Sequence, residues 1–143
     1  MELPDVPESL RFSVRLRTRW RDEDNQGVLN NAVHSTLLEE SRLAYFRELG
    51  LMDRPQFPFV LAQTNIAFLA PGRGGAEVVV ECGTTHLGRT SFCQAYRIRS
   101  IGPSGEPAAP IAIAEARLVL VDATGASCPM TDEFRRRVAE HEG

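Results

Sequence analysis

The stretch Thr18–Gly50 reads TRWRDEDNQGVLNNAVHSTLLEESRLAYFRELG, and it decides the prediction of the fold. An acidic turn, Asp22–Asp24, separates an alternating segment from a long helical one. Because Asn30 or Asn31 can cap an N-terminus and Gly50 a C-terminus, the pattern predicts a helix over about Ala32–Leu49. Carboxylates next to a helix start meet the positive end of its dipole, beside backbone N–H groups that can polarise a carbonyl group.

Strands are predicted on both sides of this helix. Before it, apolar and polar residues alternate over Arg11–Trp20, which is typical of a strand with one solvated face. After it come four further strands and a short helix, joined by glycine- and proline-rich connections: Phe59–Ala70, Ala76–Thr85, Thr90–Ser100, Ile111–Val121 and the helix Thr131–Glu140. This order predicts one α+β domain over residues 1–143, with an antiparallel sheet packed on one long helix.

The last of these strands is apolar on both faces. A single antiparallel sheet normally leaves one face in water. We therefore expect a second copy of the chain to cover part of the other face.

The composition excludes several classes of function. The net charge of −3 gives no basic surplus for binding nucleic acid, and no apolar run approaches the roughly 20 residues of a membrane span. The acidic, proline-containing start lacks the features of a signal peptide. Neither the three cysteines nor the three histidines have the spacing of metal ligands. We expect a cytoplasmic protein with reduced thiols and without a metal or other cofactor.

Other motifs explain the acidic turn less well. Its D-x-D start resembles a calcium loop, but the twelfth position is Val33 where that loop needs glutamate. A serine-hydrolase elbow and a phosphate-binding loop are both absent. The residues alone also allow a structural explanation, in which a solvated acidic turn simply complements the helix dipole.

Several segments together resemble the hotdog-fold acyl-CoA thioesterases, in the branch similar to 4-hydroxybenzoyl-CoA thioesterase. The similar segments are Arg19–Val33 with its D-x-D-x-x-G turn and N-N pair, Leu38–Arg42 with E-x-x-R, Tyr45–Gly50, and Gly88–Phe92. The resemblance implies a curved antiparallel sheet wrapped around one long central helix, with a short C-terminal helix. It also implies an acyl-CoA substrate and a homodimer or homotetramer whose active sites lie at a subunit interface.

The resemblance assigns catalytic roles to three residues. Asp24, the second acid of the turn, would be the catalytic carboxylate, either as nucleophile or as general base. The backbone N–H of Asn31 would bind the thioester oxygen. Glu39 is a second candidate for the base, because a related branch uses a helix glutamate; alternatively it forms an i,i+3 ion pair with Arg42.

Further residues are candidates for substrate binding: Gly27, Asn30, His34, Arg89, Thr90 and Ser91. Arg89 could meet a phosphate of CoA or remain a solvated loop residue. The chain departs from the family at Val28, where many relatives have histidine, and at His34, where many have tyrosine. Two alternatives to an acyl-CoA thioesterase therefore stay open, a non-catalytic hotdog protein that binds acyl thioesters and a thioesterase acting on acyl carrier protein.

Overall fold

The computed structural model describes all of residues 1–143. Its elements in chain order are β1 (Phe12–Arg17), a 3-10 helix (Trp20–Asp22), α1 (Asn31–Glu48), β2 (Phe59–Phe68), β3 (Glu77–Leu87), β4 (Ser91–Ile101), β5 (Pro107–Leu120) and α2 (Asp132–Glu142). Asn30 caps α1 and Thr131 caps α2 through their side-chain oxygens. Of the two asparagines that the sequence offered as caps for α1, the structure uses Asn30.

The five strands form one antiparallel sheet in the order β1-β3-β4-β5-β2. The long helix α1 follows β1 at one edge and precedes β2 at the other edge, so it lies across the sheet. The predicted α+β hotdog architecture is confirmed. Both β1 and β2 are edge strands, but they differ in character: β1 carries Ser13, Arg15 and Arg17 on its exposed face, whereas β2 exposes Val60 and Leu61.

The buried stripe of α1 follows helical spacing but is only partly apolar. Its members recur at intervals of three and four residues and are His34, Leu37, Leu38, Ser41, Arg42, Tyr45 and Phe46. Phe46 is fully buried. It is enclosed because α2 adds Phe134, whose ring centroid is 5.6 Å from that of Phe46, opposite Phe59 and Phe92 of the sheet.

Two predicted element boundaries were wrong. The first strand ends at Arg17, since the hydroxyl of Thr18 accepts a hydrogen bond from Ala76 N and donates one to Arg73 O. Trp20, predicted in the strand, lies in the 3-10 helix and is 75% exposed. The last strand starts at Pro107 rather than Ile111, because β4 and β5 stay paired through two register shifts that accommodate the prolines.

Asp22 holds the segment after β1. Its carboxylate accepts hydrogen bonds from the backbone N of Arg19 at 2.8 Å and from the guanidinium Nε and Nη2 of the same residue at 3.1 and 3.0 Å. The backbone hydrogen bond, together with the guanidinium, keeps the pKa of Asp22 below its usual value against the opposing effect of burial. Asp22 therefore acts as the anchor of this turn.

A chain of polar groups crosses the core beneath α1. Arg42 Nε donates to the hydroxyl of Tyr96 at 2.9 Å, and that hydroxyl donates to the side-chain oxygen of Gln94. Tyr96 and Gln94 have no exposed surface, and burial raises the pKa of Tyr96, so its hydroxyl keeps its proton. Arg42 thus enters the core with its Nε satisfied by a neutral partner.

Replacing the central hydroxyl tests this network. In Tyr96→Phe, Arg42 Nε and the Gln94 oxygen lose their shared partner, which should lower the free energy of unfolding by about 1–3 kcal/mol in urea denaturation. Tyr45→Phe is the matched control, because the half-buried Glu142 to which Tyr45 donates can be rehydrated. A smaller loss in Tyr96→Phe than in Tyr45→Phe would contradict this role of the hydroxyl.

The anchoring carboxylate predicts a specific pH dependence. Because the pKa of Asp22 is lower in the folded than in the unfolded chain, its stabilising effect is present above the unfolded pKa and disappears as the pH falls through the folded one. Asp22→Asn should therefore lower the free energy of unfolding by its full amount at pH 6, and by progressively less below about pH 4. Urea unfolding of both proteins at several pH values measures this difference. A difference that stays constant down to about pH 2 would refute the anchoring role.

Candidate active site

The acidic turn forms a small hairpin that leads directly into α1. Asp24 N donates to Val28 O at 2.8 Å, Asn30 N donates to Asp22 O at 2.8 Å, and Glu23 forms a β-bridge with Leu29 between them. Side chains alternate across such a hairpin. Asp22 and Asp24 therefore share one face.

Asp24 lies at the tip of this hairpin and has a local structural role. Its Oδ1 accepts from Gln26 N at 2.8 Å, its carbonyl oxygen accepts from Gly27 N at 3.0 Å, and Gly27 has a φ of +72°. A positive φ is the reason that glycine stands at this position. Asp24 is half-buried, and its Oδ2 makes no hydrogen bond within the chain.

The same turn occurs a second time, at Asp122–Gly125. There Asp122 Oδ1 accepts from Thr124 N at 2.8 Å, Gly125 N donates to Asp122 O at 3.0 Å, and the φ of Gly125 is +86°. The turn geometry alone therefore does not identify Asp24 as catalytic. What distinguishes Asp24 is its position beside the start of α1.

The connection Pro71–Gly75 forms hydrogen bonds with the Asp22–Asn30 hairpin and holds it against the sheet. Leu29 N donates to Gly72 O at 2.9 Å, Arg73 Nη1 donates to Gly27 O at 2.6 Å, and Gly74 N donates to Glu23 Oε2 at 2.9 Å. A Cβ on Gly74 would lie 2.6 Å from Arg19 O, so only glycine allows this close approach. No local sequence pattern indicated this contact.

The first turn of α1 leaves one backbone donor uncovered. The side chain of Asn30 accepts from Ala32 N at 2.8 Å, and Asn30 O accepts from Val33 N at 3.0 Å. The N–H of Asn31 makes no hydrogen bond within the chain. Asn30 thus acts as the cap, and Asn31 offers the donor expected from the resemblance.

A cavity of about 300 Å³ opens beside this donor. Its lining residues are Val28, Leu29, Asn31, His34, Phe68, Leu69, Ala70, Pro71 and Gly72. Five of these nine residues are apolar, and the start of α1 lies on one side of the cavity and the end of β2 on the other. Asp24 does not line the cavity, but its partner across the hairpin, Val28, does.

His34 forms part of the cavity wall one turn into α1. The residue is 2% exposed, and its Nδ1 lies 3.2 Å from Asn30 O. Phe68 stands edge-on to it, with the ring centroids 4.9 Å apart. Burial lowers the pKa of His34, the Asn30 carbonyl opposes this only in part, and the ring is therefore neutral near pH 7.

Glu39 does not line the cavity beside Asn31. It is exposed and lines a separate cavity of about 140 Å³ with Leu38, Arg42, Leu61 and Thr64, beside β2. The i,i+3 ion pair with Arg42 that the sequence allowed does not form, since Arg42 turns inward to Tyr96. Within one chain, Glu39 is not part of the cavity at Asn31.

Arg89, Thr90 and Ser91 lie at the opposite end of α1 from Asn31. Thr90 O accepts from Leu120 N, and Leu120 pairs with Phe59 at the start of β2. The 18 residues of α1 span about 27 Å. A single chain therefore does not bring this hairpin to the cavity. A larger cavity of about 460 Å³, lined by Gly50, Leu51, Cys128 and Phe134 among others, lies at this end.

Seven of the nine residues that line the cavity were not predicted as site residues, Phe68 and Leu69 among them. Phe68 and Leu69 are 46% and 48% exposed at the end of β2. Their alternation matched an ordinary strand, so only the fold shows that they face the start of α1.

No group of three or more histidine, cysteine or acidic side chains could hold a metal ion. Neither helix is long and apolar enough to cross a membrane.

The sequence profile of the thioesterase superfamily matches residues 26–105. A thioesterase from Thermus thermophilus, solved in complex with coenzyme A and zinc, shares 31% identity with a TM-score of 0.79; the match covers 96% of this chain and 98% of that one. No curated protein matches the sequence significantly.

More distant structures share the fold. A thioesterase superfamily protein from Jannaschia has 22% identity and a TM-score of 0.82, over 96% of this chain and 86% of that one. A mutant 4-hydroxybenzoyl-CoA thioesterase complexed with 4-hydroxybenzoyl-CoA has 14% identity and a TM-score of 0.77, over 89% and 97% of the two chains. The profile match and the 31% identical structure together show that this chain belongs to the thioesterase superfamily and is a thioester hydrolase.

Proposed function

We propose that this chain hydrolyses acyl-CoA thioesters to a free acid and CoA at the cavity beside Asn31. The observation that carries the proposal is the N–H of Asn31, which no group of the chain uses and which lies beside a cavity of about 300 Å³ with five apolar residues in its lining. Apolar side chains beside one fixed donor suit an acyl group whose carbonyl oxygen must be polarised. CoA is the favoured carrier because the Thermus relative was solved with it.

The chemistry needs two groups of this chain. Attack on the thioester carbon moves negative charge onto its oxygen, and the Asn31 N–H stabilises that charge. Asp24 either removes a proton from the attacking water or attacks the carbon itself, forming an anhydride that water then opens. In both routes the C–S bond breaks and the CoA thiolate leaves and is protonated.

The position of Asp24 is compatible with this role. About three residues of extended chain separate Val28, its cross-hairpin partner, from Asn31, which corresponds to roughly 10 Å between Cα atoms. The Asp24 side chain and a bound thioester group can span this gap. Its Oδ2 remains available because only Oδ1 is used in the turn.

A second copy of the chain would complete the site. The outer edge of β2 pairs with no strand, and it and the residue after it carry apolar side chains that are about half exposed, Val60, Leu61, Phe68 and Leu69. Long apolar edges invite strand pairing, whereas the arginines of β1 discourage it. We therefore place a homodimer contact at β2, and the same contact fits within a homotetramer.

Antiparallel pairing across β2 has a direct consequence for the site. A two-fold axis near the middle of the strand brings the Phe68 end of one β2 beside the Phe59 end of the other. The hairpin with Arg89, Thr90 and Ser91 lies at the Phe59 end. Each cavity would therefore meet the hairpin of the other copy, where Arg89 can bind a phosphate of CoA.

Asp24→Asn is the direct test of the catalytic acid. Asparagine keeps an oxygen for the turn but lacks the charge, so folding should be retained while turnover of acyl-CoA falls at least ~100-fold. Asp122→Asn is the matched control, because it alters the same kind of turn at a residue to which the proposal gives no catalytic role. Thiol release over several acyl-CoA substrates, and over the same acyl groups on acyl carrier protein, gives the rates. Near-normal activity of the Asp24 variant would move the assignment to Glu39.

Leu61→Lys tests the proposed assembly. A charge on the β2 edge should convert a dimer into single chains, as measured by light scattering, and should abolish turnover if the hairpin of the second copy is required. Ser13→Lys, on the other edge strand, is the control and should change neither quantity. Full activity in a monomeric Leu61→Lys protein would contradict a shared site.

A further inference from the structure

The imidazole of His34 carries a hydrogen-bonding atom that the chain does not use. Nδ1 contacts Asn30 O, but Nε2 is buried and has no partner among the protein atoms. The residue as a whole is 2% exposed. Buried polar atoms are nearly always satisfied, because an unsatisfied one costs its hydration. An orphan atom in a cavity wall therefore points to a ligand.

The surroundings determine which role Nε2 can play. A carbonyl oxygen only accepts hydrogen bonds, so the contact with Asn30 O requires the proton on Nδ1. Burial favours the neutral ring. A neutral ring with its proton on Nδ1 leaves Nε2 as an acceptor, and the missing partner must be a donor.

The position of His34 relates this acceptor to the reacting group. Side chains on a helix tilt toward its N-terminus, and the contact with Asn30 O shows that the ring lies over the first turn. His34 follows Asn31 by three residues, about 4.5 Å along the helix axis. The first turn of α1 therefore supplies both a donor, Asn31 N–H, and an acceptor, His34 Nε2, from residues that line the same cavity.

Phe68 governs access to the acceptor. Its ring stands edge-on to that of His34 at the end of β2. Because Nε2 is buried, a change of the Phe68 rotamer is the step that opens the imidazole to a bound acyl group.

We propose that His34 is a specificity-determining residue that selects acyl groups with an O–H or N–H donor close to the thioester carbonyl, namely 2- or 3-hydroxyacyl groups or their amino or amide counterparts. This role rests on the proposed function, since it places the carbonyl oxygen on Asn31. A carbonyl held there carries its second and third carbon atoms toward His34. An unsubstituted chain leaves Nε2 unsatisfied, whereas a hydroxyl on one of these carbons donates to it.

Matched substrates test this selection. For the wild-type protein, kcat/KM is measured with butyryl-CoA, 2-hydroxybutyryl-CoA and 3-hydroxybutyryl-CoA. We expect one hydroxylated substrate to exceed butyryl-CoA on the order of 10-fold. His34→Phe, which keeps an aromatic ring but removes the acceptor, should abolish this preference. His34→Gln, whose amide oxygen accepts, should retain part of it.

The outcomes separate the selective role of His34 from the proposed function. Turnover of all three substrates without a preference for either hydroxylated one, or a preference unchanged in a folded His34→Phe protein, would overturn the role of His34 and leave thioester hydrolysis intact. No turnover with any acyl-CoA would count against the proposed function.

The role of His34 can also be tested by measuring ligand affinity, which does not require turnover. Calorimetry compares S-(2-oxopentyl)-CoA with its 3-hydroxy and 4-hydroxy derivatives, non-hydrolysable ketones that mimic the 2- and 3-hydroxyacyl groups. Tighter binding of one hydroxylated ketone supports the role of His34, and equal affinities of all three overturn it. Because the wild-type protein suffices for this comparison, the result does not depend on the folding of the variants.

Discussion

The candidate site depends on one backbone N–H group, that of Asn31 at the start of α1, which has no hydrogen-bond partner within the chain. Helix starts leave several N–H groups without partners. Here Asn30 covers two of them, and the N–H of Asn31 remains. The donor is held in place because one face of α1 is buried against the sheet and because the Pro71–Gly75 connection hydrogen-bonds to the hairpin of Asp22–Asn30. Such a preorganised dipole stabilises developing charge without reorganisation during the reaction.

The turn at Asp24 occurs a second time at Asp122, so its geometry alone does not imply a catalytic role. Asp24 and Asp122 each hold an Asp-x-x-Gly turn with the same hydrogen bonds and a glycine of positive φ. The turn therefore needs an aspartate for its geometry in both places. The first turn leads into the start of α1, where the N–H of Asn31 is unused, and it is this setting that supports a reactive role for Asp24.

The sequence predicted those parts of the fold that local patterns control. The order of the elements was predicted correctly, and the cap of α1 was narrowed to Asn30 or Asn31, because caps and periodicity depend on near neighbours. Trp20 was misplaced because a side-chain interaction over 58 residues, between Thr18 and Ala76, ends the strand early. Arg42 was expected to pair with Glu39, but the core supplies Tyr96 of the sheet instead.

The candidate site was predictable only in part, because some of its contacts join residues that are distant in the sequence. Asn31 and His34 share a helix turn, so their proximity follows from spacing. Phe68 reaches them through the pairing of β2 with β5, which no local pattern specifies. Arg89 lies at the far end of α1, and in the proposed assembly it would reach a site only on a second copy.

A crystal structure with a non-hydrolysable CoA ketone tests the central claim most directly. We predict that the ketone oxygen lies roughly 2.7–3.1 Å from Asn31 N, the distance expected of an oxyanion donor. We also predict a carboxylate oxygen of Asp24 within hydrogen-bonding reach of the carbonyl carbon or of a water beside it. A ligand bound instead in the larger cavity near Cys128 and Phe134, with Asn31 N untouched, would contradict both predictions.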